Sequence, residues 1–338
     1  MKKWIYITIM LVCSAALSAC NSDTGINMAV DGVTVSDTMD FSDVNSMLTT
    51  LPMFKDENGI YYAEEGKELK KKNGDNETIL YACEDSEMIR DIYADDNFIY
   101  YAKERAMQNE IVISSVNKTD LNDKQDLLTL PCHSTGSDGD NFVYADDGVY
   151  YFDIKDRMLY YNGLQTIENV TGAVICDRII YYADGSAIYS CKKDLSGSRL
   201  LWSKESMPEN NDDSTFARKY TSILQSELPE IRNLSVIGDR IYFTVSETFA
   251  RNGILTSIKI DGSETSYEND LWVYRYQIDN GNIYFSTMYS DSVKMFRLNE
   301  MPEPIDLAKV YFYICDSDCY YYDNERYGIG LSKIDLAE

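Results

Sequence analysis

A single histidine, His133, stands among 338 residues. Ser–His–Asp or Cys–His catalysis would have to pass through that one imidazole, which sits in a Gly/Ser/Asp-rich stretch typical of surface. Basic residues are outnumbered, 31 Lys and Arg against 56 Asp and Glu, for a formal charge of −25. That balance excludes the clustered cations that nucleic acid requires. It also excludes adhesion to anionic lipid by charge alone. No Cys-x-x-Cys spacing offers a zinc site, and neither a phosphate loop nor a dinucleotide fingerprint occurs. Asp138-Gly139-Asp140-Asn141 brings oxygens together but lacks the spacing and distal Glu of a calcium loop. No catalytic residue, metal or cofactor is expected from these patterns. What the chain has in excess is tyrosine, 28 residues, which favours strands and opposes disorder. The length fits two domains or one large repeat-built all-β unit.

The N-terminus reads as an address. Met1-Lys2-Lys3 precedes an apolar stretch from Trp4 to Ala16, too short and too soon followed by polar residues to span a membrane. Leu17-Ser18-Ala19-Cys20 resembles a bacterial lipobox. The resemblance implies a signal peptide over 1–19, cleavage before Cys20 and lipid on its thiol, with 20–27 as a tether. An ordinary secretory signal is the alternative. A fatty-acyl anchor would hold the chain at a membrane, on the extracytoplasmic side of the bacterial cell envelope.

An even number of cysteines, Cys83, Cys132, Cys176, Cys191, Cys315 and Cys319, follows. In an exported protein these permit disulfides, although buried free thiols serve equally well. Cys315 and Cys319 flank Asp316-Ser317-Asp318 at a strand–turn–strand junction. A disulfide there would need Cβ atoms about 3.5–4.5 Å apart; two free thiols are the other reading.

A repeat runs through 28–338. A short acidic or glycine turn, an aliphatic residue and two aromatics recur, as in Asp56-Glu57-Asn58-Gly59-Ile60-Tyr61-Tyr62, Asp95-Asp96-Asn97-Phe98-Ile99-Tyr100-Tyr101 and Asp316-Ser317-Asp318-Cys319-Tyr320-Tyr321. The first aromatics fall at 61, 100, 150, 181, 242, 284 and 320. A period of about 40–45 residues with several strands per copy marks a propeller. The expected fold is all-β, a seven-bladed β-propeller with six or eight blades as alternatives. In the second copy the strands should cover 88–94, 98–102, 111–116 and 126–130. Adjacent tyrosines point to opposite faces of a strand, and a blade covered by neighbours on both sides buries both rings. The acids before them read as turn formers. The pattern, with Asp-Gly endings such as Asp261-Gly262, resembles the low-density-lipoprotein-receptor-type β-propeller of bacterial lipoproteins of unknown function. The Tyr-Trp-Thr-Asp motif of the receptors is missing, and the resemblance implies no catalytic residues.

One stretch breaks the period. Within 204–230, Phe216, Tyr220, Ile223, Leu224 and Leu228 have helix spacing, Asp213 or Ser214 would cap the start, and Pro229 would follow the end. This helical insertion and the 131–141 connection should share the face where sheet-to-sheet connections lie. The candidate binding residues are therefore Phe216, Arg218 and Tyr220 from the insertion, with His133, Asp138 and Asp140 from the neighbouring connection. The expected function is a membrane-anchored module that binds a protein, peptide or glycan through this face. The alternative is an exported lyase or hydrolase using acidic and tyrosine residues in the channel. The stretch Met28–Val35 is expected to supply the outer strand of the last blade.

Overall fold

The computed structural model describes residues 52–132, 142–145, 148–153, 156–176, 179–206, 229–247, 252–279, 282–289, 292–297, 312–316, 318–322 and 328–335. They build 26 strands in seven antiparallel sheets. The first sheet is β1 (Met53–Asp56), β2 (Gly59–Glu64), β3 (Glu68–Asn73) and β4 (Asn76–Ala82); the second is β5 (Glu87–Ala94), β6 (Phe98–Arg105), β7 (Glu110–Asn117) and β8 (Lys124–Pro131). The third is β9 (Phe142–Ala145), β10 (Val149–Asp153), β11 (Met158–Tyr161) and β12 (Gln165–Glu168). The fourth is β13 (Gly172–Cys176), β14 (Ile179–Ala183), β15 (Ala187–Lys192) and β16 (Arg199–Ser203). The fifth is β17 (Pro229–Ile237), β18 (Arg240–Glu247), β19 (Gly253–Lys259) and β20 (Ser266–Val273). Two three-stranded sheets follow: β21 (Arg275–Asp279), β22 (Asn282–Tyr289) and β23 (Ser292–Arg297), then β24 (Phe312–Cys315), β25 (Asp318–Tyr321) and β26 (Ser332–Asp335).

Every sheet is a meander, so the repeat seen in the sequence is one sheet. The turn acids act locally. Asp56 Oδ1 accepts the Asn58 N–H at 2.8 Å, and Asp95 Oδ1 accepts the N–H groups of Asn97 and Phe98 at 2.8 and 2.7 Å. Both rings of Tyr61-Tyr62, Tyr150-Tyr151 and Tyr181-Tyr182 are buried. Their opposite faces meet neighbouring sheets on both sides, as adjacent residues on one strand must. Hydroxyls reach polar partners at the margins: Tyr100 donates to Asp95 at 2.9 Å and Tyr150 to the Lys193 carbonyl at 3.0 Å.

First strands of successive sheets touch, β1 with β5, β5 with β9, β13 with β17 and β21 with β24. They are therefore the inner strands. Tyr150 ties the third sheet to the fourth. Leu255, Val273, Tyr276, Ile283 and Phe285 form one core between the fifth and sixth. The Gln277 side chain joins the sixth to the seventh by pairing with both backbone groups of Ile314, at 2.7 and 2.8 Å. The seventh sheet returns to the first. Met53, Ile60, Tyr62, Tyr313, Tyr320 and Tyr322 share one buried cluster. The Lys55 N–H donates to Tyr313 Oη at 3.0 Å, and Tyr322 Oη donates to the Ala63 carbonyl at 3.3 Å. Sheets arranged radially and closed on themselves make a β-propeller.

In each meander, the turns between first and second and between third and fourth strands lie at one end, here the turn face. The second-to-third turns and the sheet-to-sheet connections lie at the other, the loop face. Of the expected helical insertion, residues 207–228 lie outside the described residues. Its described margins are not α-helical: Lys204–Ser206 form one 3₁₀ turn, and Pro229-Glu230 already belong to β17. Pro229 opens a strand, a position that tolerates its missing donor. Residues 28–35 also lie outside the described residues.

Candidate functional site

The inner-strand ends at the loop face concentrate charge that the sheets bury. Glu87 and Arg105 sit opposite one another where β5 starts and β6 ends, with Arg105 Nε donating to Glu87 Oε1 at 2.8 Å. Tyr81 Oη donates to the same carboxylate at 2.7 Å and the Glu84 N–H at 3.3 Å. One turn of the pleat inward, Arg90 pairs with Glu104, their side chains only 7% and 5% exposed. Across the face, Glu230 at the start of β17 holds Arg157 at 2.9 Å and Arg232 at 2.5 Å. Arg157 comes from the β10–β11 turn and Arg232 from β17, where a β-bulge follows between Arg232 and Ser235 with Asn233 at φ 55°.

These environments fix protonation states. Burial alone would raise the Glu87 carboxyl, but the Tyr81 and Arg105 hydrogen bonds hold it below its ordinary value. Burial likewise opposes ionisation of Asp126, and hydrogen bonds from Ser114 and Lys103 bring it down. A carboxylate held down in the fold stabilises it above its unfolded value of 4.5 and loses that contribution as pH falls below it. Thermal melts between pH 7 and pH 3 should therefore show the wild type losing stability over the acid range, and Glu87→Gln losing less across the same window. Parallel acid limbs would contradict this role for Glu87.

Next to this network the structure brings together Cys132, which follows β8, Asp153 at the end of β10 and Asp156 in the β10–β11 turn. Their ligating atoms all lie within 4.8 Å of one another, with Cys132 and Asp153 buried. The Asp156 N–H donates to Asp153 Oδ1 at 3.2 Å. Fully buried Tyr151 lies against the group; burial, then Asp153, Asp91 and Cys132, push its phenol well above the ordinary value. A thiolate with two carboxylates is a donor set that zinc accepts. No motif announces it: positions 132, 153 and 156 have no motif spacing, and only the sheet register aligns the two loops.

The residues singled out from sequence fare differently. His133, Asp138, Asp140, Phe216, Arg218 and Tyr220 lie outside the described residues, as does Cys20. Cys315 and Cys319 are both free thiols. Register explains why. Cys319 stands opposite Ile314 and Cys315 opposite Asp318, so the two thiols lie on opposite faces of the sheet. Cys315 packs against the Tyr313 cluster, and Cys319 lies in the separate core with Tyr284, Phe312 and Ile314. Burial raises both thiols, Cys315 to about 11 and Cys319 to about 12.

No protein-family model matches this chain, and no curated protein matches it. Solved structures do. A chain of the nidogen/laminin complex aligns over 73% of this chain and 91% of its own, at 13% identity and TM-score 0.41. An oligogalacturonate lyase from Vibrio parahaemolyticus aligns over 73% and 76%, at 9% identity and TM-score 0.45. A chain of the mitotic checkpoint complex aligns over 89% and 95%, at 8% identity and TM-score 0.47. At such identities the likeness concerns the propeller fold and says nothing of activity.

Proposed function

We propose that this chain is a seven-bladed propeller, anchored by lipid on Cys20 to the extracytoplasmic side of a bacterial membrane, that binds a protein, peptide or glycan through its loop face. One observation carries the reading. At the loop face Arg105 holds Glu87, Glu104 holds Arg90, and Arg157 and Arg232 hold Glu230 in ion pairs. General acid–base work wants a group tuned towards the operating pH. Locked charge states instead suit a fixed pattern of donors and acceptors for recognition. The membrane anchor and the closing strand at 28–35 belong to this reading.

The test is capture of a partner from envelope extract by the immobilised mature chain. Deleting 206–228 should leave the melting transition intact and abolish capture, and Arg157→Glu, which breaks the contact with Glu230, should weaken it. Unchanged capture by a well-folded deletion variant overturns the loop-face assignment.

The convergence of Cys132, Asp153 and Asp156 beside Tyr151 favours a second reading, an exported lyase or hydrolase acting on the same face. Its measure is the appearance of new chain ends when envelope polysaccharide is incubated with the protein and a divalent cation. Such products must vanish in Asp153→Asn if this reading holds.

A further inference from the structure

The opposite face carries a cavity that the loop-face reading does not use. About 370 Å³ in volume, it opens where the first and seventh sheets meet, between the turns at Asp56–Gly59 and Asn73–Gly74 and the strands β25 and β26. The turns approach closely because residue 59 is glycine: its φ is 136°, and a Cβ there would stand 2.4 Å from the Lys72 carbonyl oxygen. Ile60, Leu331 and Tyr320 supply apolar lining.

Three lysines line this space, Lys55, Lys72 and Lys333. Two are committed. Lys55 lies 2.9 Å from Asp316 and 3.7 Å from Asp318, and Lys333 lies 2.7 Å from Asp318. Asp56, also in the lining, is engaged by Lys118. Among the described residues Lys72 alone of these lysines makes no salt bridge, although Glu77 faces it across the β3–β4 pair. Glu57 stands at the exposed tip of its turn.

We propose that this seam cavity binds a small organic monocarboxylate with an apolar or aromatic body, its charge held by Lys72 and its body by Ile60, Leu331 and Tyr320. One ammonium outside any salt bridge matches one negative charge. Asp56 and Glu57 in the same lining repel a second, which disfavours phosphate. The volume suits a ring-sized occupant, at the small end of the roughly 300–1,000 Å³ spanned by ligand pockets. A bound ligand would touch the first and last sheets together, so it would stabilise the closed ring by mass action.

Benzoate is the probe, titrated into the full chain by calorimetry and followed by thermal shift, with acetate, inorganic phosphate and benzylamine as controls. Benzoate should saturate one site and raise the melting temperature. Acetate should bind about tenfold more weakly, for want of apolar contact. Phosphate and benzylamine should not saturate. Lys72→Gln should weaken benzoate about tenfold, and Lys72→Arg should restore it. The proposal is overturned if benzoate gives no saturable binding, if benzylamine binds as well, or if a folded Lys72→Gln variant binds benzoate like the wild type. The wild-type comparison of benzoate with benzylamine decides the matter even if that variant fails to fold. None of these outcomes depends on loop-face capture.

Discussion

Tyr313→Ala should lower the stability of the protein by about 3–5 kcal/mol, read as a large fall in the urea midpoint. Tyr313 is 2% exposed and belongs to the cluster that joins the seventh sheet to the first. Truncation leaves a cavity at the seam. It also strips the part-buried Lys55 N–H of its 3.0 Å acceptor, which adds about 1 kcal/mol. Tyr313→Phe isolates that second contribution, so it should cost clearly less than the alanine change. Leu164→Ala, at a side chain 90% exposed, should be within about 0.5 kcal/mol of wild type. A propeller whose ring is held elsewhere would lose no more from Tyr313→Ala than from an ordinary surface change.

The second large effect concerns the ion pair beneath the loop face. Glu104→Gln removes the charge facing Arg90 while keeping the shape of the side chain. With both partners less than a tenth exposed, the guanidinium would stay buried after losing this carboxylate. Breaking a buried pair on one side costs about 3–5 kcal/mol. Removing both charges should cost far less: Arg90→Met with Glu104→Leu should recover most of the lost stability, because desolvation of the ions is relieved together with their attraction. If Glu104→Gln alone is silent in urea denaturation, water reaches this pair and the sheets do not bury it as described above.

The sequence showed the blade more clearly than the site. Alternation and paired tyrosines are properties of one strand, and a strand buried on both faces can be recognised locally. Hence the second sheet lies within a few residues of the spans read from periodicity, with β6 running on from 98 to 105 and β7 starting one residue earlier, at Glu110. The Asp turns were legible for the same reason: every partner of the Asp95 side chain named above, from Asn97 to Tyr100, lies within five residues. The cysteine hairpin turned on register, which the sequence does not display. A shift of one residue sends Cys319 into a different core from Cys315. Cys132, Asp153 and Asp156 meet only because the connection after β8 and the β10–β11 turn of the next sheet emerge at the same face. The seam cavity joins residues more than 240 apart, and Lys72 is distinguished from its neighbour Lys71 only by the strand face it occupies. Chemistry assembled between sheets leaves no trace in any single repeat.

The closed ring itself is tested most directly by a zero-length carbodiimide cross-link. Lys55 Nζ and Asp316 Oδ2 lie 2.9 Å apart across 261 residues of chain, with the aspartate side chain 73% exposed and so open to activation. Peptide mapping by mass spectrometry should recover an amide joining Lys55 to Asp316, or to Asp318 beside it, in monomeric protein. The yield should collapse in urea above the unfolding midpoint. Recovery of only short-range amides from the folded monomer, with Lys55 unlinked to either aspartate, would contradict closure of the first sheet on the seventh.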